Sequence, residues 1–291
     1  MRERRAWMNR AGTRGAWRHW PNGAPVGGVG RRRRAGVCGV LVGVVLLVTI
    51  VGPWLGPVIG DSGTSTAFAY ETGGAFGLGY DYLGRPVLPQ LLEGGRSLLI
   101  AAFATAAVAQ AFGLATGLWI ATQARGTKTA RFFLDVALIV PLTVAALIAY
   151  TLAGSSLYAT IPIATALTVP FTSRYYQAAG ESLLRSAFFE QARVAGDRMM
   201  VAVVREVVPV LLRPVLVDLG LSVISAIYLM STVSYLGAVT VDDGFLWPTM
   251  VAQNLGGVEL NPWAALAPMC AIIMLTVPLN LLVGSVGERQ R

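Results

Sequence analysis

Six long apolar runs without Lys or Arg constrain the fold of this chain more than any other feature. They lie near residues 36–59, 97–121, 133–153, 156–173, 214–236 and 264–283. A helix needs about 20 mostly apolar residues to cross the roughly 30 Å hydrocarbon layer of a bilayer. Only helices and closed barrels satisfy every backbone polar group in lipid, and these runs lack the alternation of barrel strands. The pattern therefore predicts an all-α membrane protein with six transmembrane helices.

The composition supports this prediction and excludes a water-soluble enzyme. Hydrophobic residues make up 55% of the 291 residues and charged residues only 13%, too few to cover the surface of a soluble protein of this size. A net charge of +8 is compatible with a nucleic-acid partner. The basic residues lie between the apolar runs, however, so we expect a lipid bilayer and no nucleic acid as the partner.

The distribution of basic residues predicts the orientation. Residues 1–35 hold ten Arg, and the segments after the second and fourth runs hold most of the others, whereas Arg85 and Arg96 fall on the opposite side. Because cytoplasmic segments are enriched in Lys and Arg, we expect a multi-pass protein of the cell membrane with both termini in the cytoplasm. Aromatic residues then fall near the two interfaces: Tyr150, Tyr158, Tyr235 and Trp263 outside, and Trp119, Tyr175 and Tyr176 inside.

This orientation divides the chain into four parts. Residues 1–35 form an Arg-rich tail expected to be disordered. The alternative is a signal peptide made of Arg31 to Arg34 and the apolar run that follows, with a cleavage site at residues 67–69. Residues 36–59 form the first transmembrane helix and residues 60–96 an external segment. Residues 97–291 form a core of five transmembrane helices with a cytoplasmic loop at 174–213, and this loop is far longer than a simple connection requires.

The sequence predicts no catalytic, metal or cofactor site on this chain. A phosphate-binding loop needs a Lys directly after a Gly, and the only Lys, Lys128, lacks that spacing. The single histidine, His19, leaves no metal or catalytic cluster. Asp135 and Asp218 lie near the predicted inner face, where an interfacial role is expected rather than a proton relay.

An amphipathic pattern lies inside the cytoplasmic loop. Apolar residues recur at helical spacing: Phe188, Ala192, Ala195, Met199 and Val203. Gly196 interrupts the pattern because glycine readily turns the chain, and Asp197 can cap the helix that follows. The pattern predicts a short helix or helix pair that either lies on lipid or docks into a partner protein.

The same loop resembles the EAA motif of ABC-importer permeases. Four residues match the motif at the correct spacing: Glu190, Ala192, Gly196 and Pro209. Three residues depart from it: Gln191, Glu206 and Val208. The departures replace Ala, Ile and Leu, and the last of them conserves an apolar side chain.

Other segments resemble the C-type subunit of dipeptide, oligopeptide and nickel importers. Residues 81–85 and 94–96 are similar to the segment before the second span of that group, although Pro86, Pro89 and Gln90 replace its Asp, Ser and Arg. Residues 234–237, Trp247, residues 262–263 and 280–282 are similar to its C-terminal third. Met230 stands where the group often has Glu. The resemblance covers residue 76 to the end of the chain.

The resemblance implies a type I ABC-importer permease architecture and a set of partners. These are a second homologous permease, two cytoplasmic ABC ATPases that bind ATP and Mg, and an external substrate-binding protein. It implies a non-catalytic subunit that forms half of the pathway for di- or oligopeptides. The residues that it implies for coupling to an ATPase are Phe188, Phe189, Glu190, Ala192, Arg193, Gly196, Asp197 and Pro209.

Within that interpretation, Gly196 allows a bend, and Phe188, Phe189 and Met199 bury apolar area against the ATPase. The substrate-binding residues stay unknown. A secondary carrier that works without an ATPase and a membrane-anchored assembly protein are the alternatives.

Overall fold

A computed structural model describes residues 28–59, 67–73, 75–153, 157–196, 198–236 and 246–287. Within these ranges the chain is predominantly helical, which confirms the all-α prediction for them. The helices are α1 (Gly28–Ile59), α2 (Val87–Ala121), α3 (Thr127–Ile139), α4 (Leu142–Ala153), α5 (Leu157–Leu184), α6 (Ala187–Val194), α7 (Met199–Ala202), α8 (Val208–Tyr235), α9 (Trp247–Asn254) and α10 (Trp263–Gly287). A π-helical turn, Val203–Val207, joins α7 to α8. Residues 1–27 of the predicted tail lie outside the described residues, whereas residues 28–35, also predicted to be disordered, form the start of α1.

Several helices have the length and composition of membrane spans. Among the described residues, four helical stretches qualify, and the bent pair α3–α4 makes a fifth if it is counted as one span. The four stretches are Gly36–Leu55, Val87–Ala121, Met199–Tyr235 and Trp263–Gly284. A multi-pass membrane protein is therefore confirmed, whereas six spans are not.

The predicted fourth span, 156–173, falls in α5, which is not among the qualifying helices. The helix is long enough, at 28 residues, but its Thr and Pro residues and the charges of Arg174 and Glu181 lower its hydropathy. α5 also continues 11 residues beyond the predicted span, to Leu184. The segment predicted as a loop, 174–213, is consequently helical over most of its length.

The predicted third span, 133–153, is broken in the middle. The axes of α3 and α4 meet at 91°. Val140 adopts an extended conformation, with φ −72° and ψ 127°, directly before Pro141. Proline disfavours the helical conformation of the residue before it and lacks an N–H group, so the helix ends there.

Small residues bring α2 and α5 into close contact along parallel axes. Thr172 on α5 donates a hydrogen bond to the carbonyl of Ala109 on α2 over 3.2 Å. Further along both helices, a Cβ at Gly117 would lie 2.5 Å from the carbonyl oxygen of Ser173. The Gly113–Gly117 spacing therefore serves a helix contact inside this chain.

The helix contacts define two ends of the bundle. Gly39 on α1 and Gly220 on α8 both approach the last turns of α10, at Leu282 and Val283. Since α8 begins just after α6 and α7, the start of α1 and the end of α10 lie at the same end of the bundle as α6. We call this the α6 end, and the other the α9 end.

At the α9 end, residues 67–73 and 75–86 fold around the buried carboxylate of Asp81. Its oxygens accept hydrogen bonds from the backbone N–H groups of Leu83 and Arg85, from Nε of Arg85 at 2.9 Å, and from Nε2 of Gln90 at 3.0 Å. Nδ2 of Asn261 ties the segment to the start of α10 through bonds to backbone carbonyls. Gln90 thus links Asp81 to the first turn of α2.

Two aromatic residues that the sequence predicts at membrane interfaces are buried inside the bundle. The hydroxyl of Tyr150 donates to the carbonyl of Thr160 over 3.1 Å, and Tyr176 contacts polar side chains of α2 and α8. Both side chains are almost inaccessible to solvent. Both rings therefore pack against neighbouring helices instead of facing lipid headgroups, because helix packing decides which way a ring points.

Candidate coupling site

The short helix α6 is a separate element between two long helices. Ser186 at its start is in an extended conformation, which separates α6 from the end of α5. After Val194 the chain turns at Gly196, whose φ of +95° lies in the region that favours glycine. The predicted break at Gly196 is confirmed. Asp197, predicted to cap the next helix, lies outside the described residues.

Phe189 fixes α6 to the rest of the chain. Its side chain is only 2% exposed and belongs to an apolar cluster whose buried members lie on five elements. We call this the anchor cluster; its buried members are Leu118, Phe189, Ala202, Val203, Val207 and Leu211. Because Leu118 is on α2 and Leu211 on α8, α6 is attached to both helices as well as to α5.

The opposite side of α6 is open. Phe188 is 39% exposed and Val194 is 85% exposed, and the side chains of Glu190 and Arg193 are exposed as well. Adjacent residues in a helix point about 100° apart, so Phe188 and Phe189 face different directions. The expectation that both rings are presented to a partner is therefore wrong for Phe189, which this chain buries itself.

The remaining predicted coupling residues are divided between the two sides. Ala192 is half-buried and packs against the anchor cluster, and so does Met199, for which the sequence predicts a partner contact. Gly196 is exposed, and no atom would lie within 4 Å of a Cβ placed on it. Pro209 is exposed in the first turn of α8.

The π-helical turn Val203–Val207 was not predictable from the sequence. It lies where the anchor cluster meets the start of α8, and it holds Glu206, one of the departures from the motif. Glu206 forms a loose pair with Arg205 over 3.8 Å, and the Arg205 side chain is 74% exposed. Turns of this type within longer helices occur frequently at functional sites.

A chain of polar contacts joins α3 to α5 at the α6 end. Nη2 of Arg131 lies 2.7 Å from Oε1 of Glu181, which also accepts a hydrogen bond from Gln177 over 2.8 Å. Arg174 in turn donates to Gln177 over 3.0 Å and lies 3.5 Å from Asp135. The four charged side chains are partly exposed, so each ion pair contributes modestly, but together these contacts hold α3 beside the end of α5.

A second polar network lies deeper in the bundle and was missed by sequence reasoning. Nε2 of Gln110 on α2 donates to Oδ2 of Asp218 on α8 over 2.6 Å and lies 3.2 Å from the hydroxyl of Ser222. The hydroxyl of Tyr176 on α5 donates to Oε1 of Gln110 over 2.6 Å. The network links the three helices that the anchor cluster also joins, and Asp218 is its acceptor on α8.

Taken together, these contacts attach α6 to the long helices at defined points. Covalent connections join it to α5 and α7, the anchor cluster joins it to α2 and α8, and polar contacts extend the assembly to α3. Its exposed side bears apolar and charged residues. The arrangement can transmit a displacement of α6 to the long helices, and within the described residues it presents no nucleophile or paired acid and base for bond-making chemistry.

Comparison with known proteins places the chain among membrane permeases. It is 25% identical over 257 residues to the dipeptide transport system permease protein DppC of Haemophilus influenzae, covering 84% of this chain and 87% of that protein. It is 26% identical over 253 residues to a protein of Brucella suis named for a peptide transport system permease, covering 87% and 85%. A Brucella abortus protein named for a peptide permease is 26% identical over 207 residues, covering 70% and 68%.

The family match covers the whole region built around α6. Residues 84–291, which include α2 to α10, match the binding-protein-dependent transport system inner membrane component family. This range contains the anchor cluster, the EAA-like residues and both polar networks. The chain therefore belongs to the family of binding-protein-dependent transport system inner membrane components.

Proposed function

We propose that this protein is the transmembrane subunit of an ATP-driven importer of di- or oligopeptides. Two relatives are named as dipeptide and peptide permeases, which supports di- or oligopeptides as the substrate class. The subunit forms half of the translocation pathway and is not an enzyme. Its ATP and Mg are bound by partner subunits.

The proposed complex contains a second homologous permease, two cytoplasmic ABC ATPases and an external substrate-binding protein. The α6 end faces the cytoplasm, because within the described residues the cationic side chains concentrate there and only Arg85 and Arg96 lie towards the α9 end. Both termini are then cytoplasmic, and residues 60–96 are external. Residues 67–73 and 75–86, which contact Asp81 and Asn261, offer the binding protein a surface.

In this proposal the residues around α6 have two different functions. Phe188, Glu190, Arg193 and Gly196 contact the ATPase, as do Asp197 and Pro209. Phe189 and Ala192 instead hold α6 to the permease, so that closure of the ATPases moves α2, α5 and α8. The observation that carries the proposal is this division of a single eight-residue helix into an open side and a side buried in the chain's own core.

Substitution at Gly196 tests the coupling. Gly196→Arg places a long charged side chain in the space reserved for the partner, in a backbone conformation that L residues rarely adopt. We expect the variant to insert and assemble with the second permease but to lose peptide-stimulated ATP hydrolysis in proteoliposomes. Gly196→Asn is the matched control, because Asn tolerates left-handed backbone and is short. Unchanged stimulation in Gly196→Arg contradicts the proposed contact.

A second experiment separates this function from its alternatives. Peptide uptake is measured in proteoliposomes that contain the complete complex, with wild-type ATPase or with a Lys→Ala substitution in the phosphate-binding loop of the ATPase. We expect uptake only with the wild-type ATPase. Uptake by this chain alone, driven by an ion gradient, supports a secondary carrier, and the absence of a co-purifying ATPase supports an assembly protein.

A further inference from the structure

The exposed sides of most long helices in the described part of the chain are suited to lipid. On α2 the accessible positions between the helix ends carry aliphatic and aromatic side chains: Ile100, Phe103, Ala107, Val108, Ala111, Phe112 and Ala115. The exposed side of α1 is likewise apolar from Val37 to Leu55. Hydrocarbon tails accept such surfaces without cost, so these two helices define the lipid-facing side of the bundle.

One face of α8 has a different character. Ser225, Tyr228, Thr232 and Tyr235 follow each other at intervals of three and four residues in the half of the helix nearest the α9 end. At 3.6 residues per turn their side chains fall within an arc of about 80° and extend over about 15 Å. Tyr228 is 70% exposed and Tyr235 63% exposed. We call these four residues the α8 stripe.

A lipid environment explains only part of the α8 stripe. Tyr235 is the last residue of α8, where a tyrosine fits a membrane interface. Tyr228 and Ser225 lie two and three turns deeper, and burying a hydroxyl in hydrocarbon without a partner is costly. The hydroxyl of Thr232 donates a hydrogen bond to the carbonyl of Tyr228 over 2.9 Å, so its donor is satisfied within the helix.

We propose that the α8 stripe lines the water-filled translocation pathway and contacts the passing peptide, a site that rests on the proposed import function. Its hydroxyls and rings offer hydrogen bonds and flat contact area without any carboxylate or ammonium group. Peptides share amide groups and vary in side-chain charge. A stripe of this chemistry therefore binds the common backbone weakly and tolerates different sequences, as transit through a pathway requires.

Cysteine labelling tests whether the α8 stripe faces water. Both native cysteines, Cys38 and Cys270, are replaced by Ser, and Ser225→Cys is compared with Ala107→Cys on the apolar side of α2. The complete complex in proteoliposomes is treated with a charged methanethiosulfonate reagent. Because the thiolate is the reacting species and forms in water, we expect Ser225→Cys to react at least about tenfold faster. A saturating peptide, supplied with the binding protein, should slow that reaction.

Two outcomes overturn the assignment. Equal, slow labelling of both positions means that the α8 stripe faces lipid. Slow labelling of Ser225→Cys together with oxidative cross-linking to a cysteine in the second permease means that it is a dry subunit contact. Labelling does not require transport, so it tests water access separately from the substrate. Rapid labelling that peptide does not slow, in a complex that imports no peptide, refutes the proposed substrate. The same result still shows that the α8 stripe faces water.

A functional variant gives an independent readout of peptide contact. Tyr228→Leu removes the hydroxyl and the ring face, and we expect a several-fold higher KM for peptide uptake. Phe112→Leu on the lipid side of α2 is the control and should leave KM unaltered. If Tyr228→Leu leaves KM unaltered too, the α8 stripe does not contact the substrate.

Discussion

Gln110 on α2 donates a hydrogen bond from Nε2 to Oδ2 of Asp218 on α8, over a distance of 2.6 Å. The same glutamine accepts a hydrogen bond from Tyr176 on α5, so its two amide atoms join three helices. These helices also meet at the anchor cluster or flank it. A movement of α6 therefore acts on three helices that are connected by hydrogen bonds and that we expect to move together.

The first prediction concerns the strength of the hydrogen bond between Gln110 and Asp218. Gln110→Leu and Asp218→Leu each remove one partner of the 2.6 Å contact, and the double variant removes both. Interhelical hydrogen bonds in membrane proteins contribute about 0.6 kcal/mol on average and up to about 1.7 kcal/mol, so we expect a coupling energy in that range. The measurement is a double-mutant cycle on unfolding in mixed micelles. The pair Gln110→Leu and Ser225→Ala, which are not in contact, should be additive.

The second prediction separates the two adjacent phenylalanines of α6. Phe189→Ala empties a buried site and should destabilise the attachment of α6 by about 3–5 kcal/mol. Phe188→Ala alters a partly exposed side chain and should change stability by no more than about 0.5 kcal/mol. Hydrogen exchange of residues 187–202 measures the attachment. Equal protection in the two variants contradicts the division of α6 into an open side and an anchored side.

The same two variants should also affect the ATPase differently: Phe188→Ala should impair its binding, and Phe189→Ala should impair its coupling to transport. Phe188→Ala is expected to weaken binding of the isolated ATPase while leaving the permease fold intact. Phe189→Ala should preserve much of the ATPase contact but uncouple hydrolysis from transport, because α6 moves without displacing α2 and α8. Simultaneous measurement of peptide uptake and phosphate release gives the transport-to-hydrolysis ratio that distinguishes them.

The third prediction tests the close contact between α2 and α5. A Cβ at Gly117 would lie 2.5 Å from the carbonyl oxygen of Ser173 and 2.9 Å from the backbone nitrogen of Gln177. Backbone atoms cannot move aside cheaply, so Gly117→Ala should destabilise the protein by about 1–3 kcal/mol despite the higher helix propensity of Ala. Gly43→Ala on α1 is the control, since no atom lies within 4 Å of its Cβ. A thermal unfolding temperature that falls equally in both variants contradicts the assignment.

The sequence predicts those features of the fold that depend on local pattern. Apolar runs locate the long helices, because the bilayer demands about 20 apolar residues for each span. The break at Gly196 is also predictable, since glycine accepts the positive φ that ends α6. The amphipathic spacing from Phe188 onward likewise predicts a helix, and α6 begins at Ala187.

Tertiary contacts decide the features that the sequence leaves open. Nothing local distinguishes Phe188 from Phe189; the orientation of α6 against Leu118 determines which ring is buried. Proline is equally ambiguous, because Pro162 and Pro170 lie inside α5 whereas Pro141 separates α3 from α4. The partners of Asp218 come from residues 42 and 108 positions away, a separation that no local pattern reveals.

The fourth prediction concerns pH and the segment 67–86 at the α9 end. Burial raises the pKa of the Tyr70 hydroxyl above its ordinary value of 10.0, and the nearby charges of Asp81 and Tyr82 act in the same direction. The folded protein therefore binds this proton more tightly than the unfolded chain does. The resulting stabilisation is fully present below about pH 10 and is lost as the pH rises through the folded-state pKa.

The variant Tyr70→Phe, which cannot ionise at this position, tests the prediction. The difference in unfolding temperature between wild type and Tyr70→Phe should be constant from pH 7 to about pH 9. Above about pH 10 the wild type should lose stability relative to the variant. Tyr228→Phe, whose hydroxyl lies on the exposed side of α8, is the control for tyrosine removal in general. A wild-type curve that stays parallel to that of Tyr70→Phe through the alkaline range means that Tyr70 ionises as easily in the folded protein as in the unfolded chain.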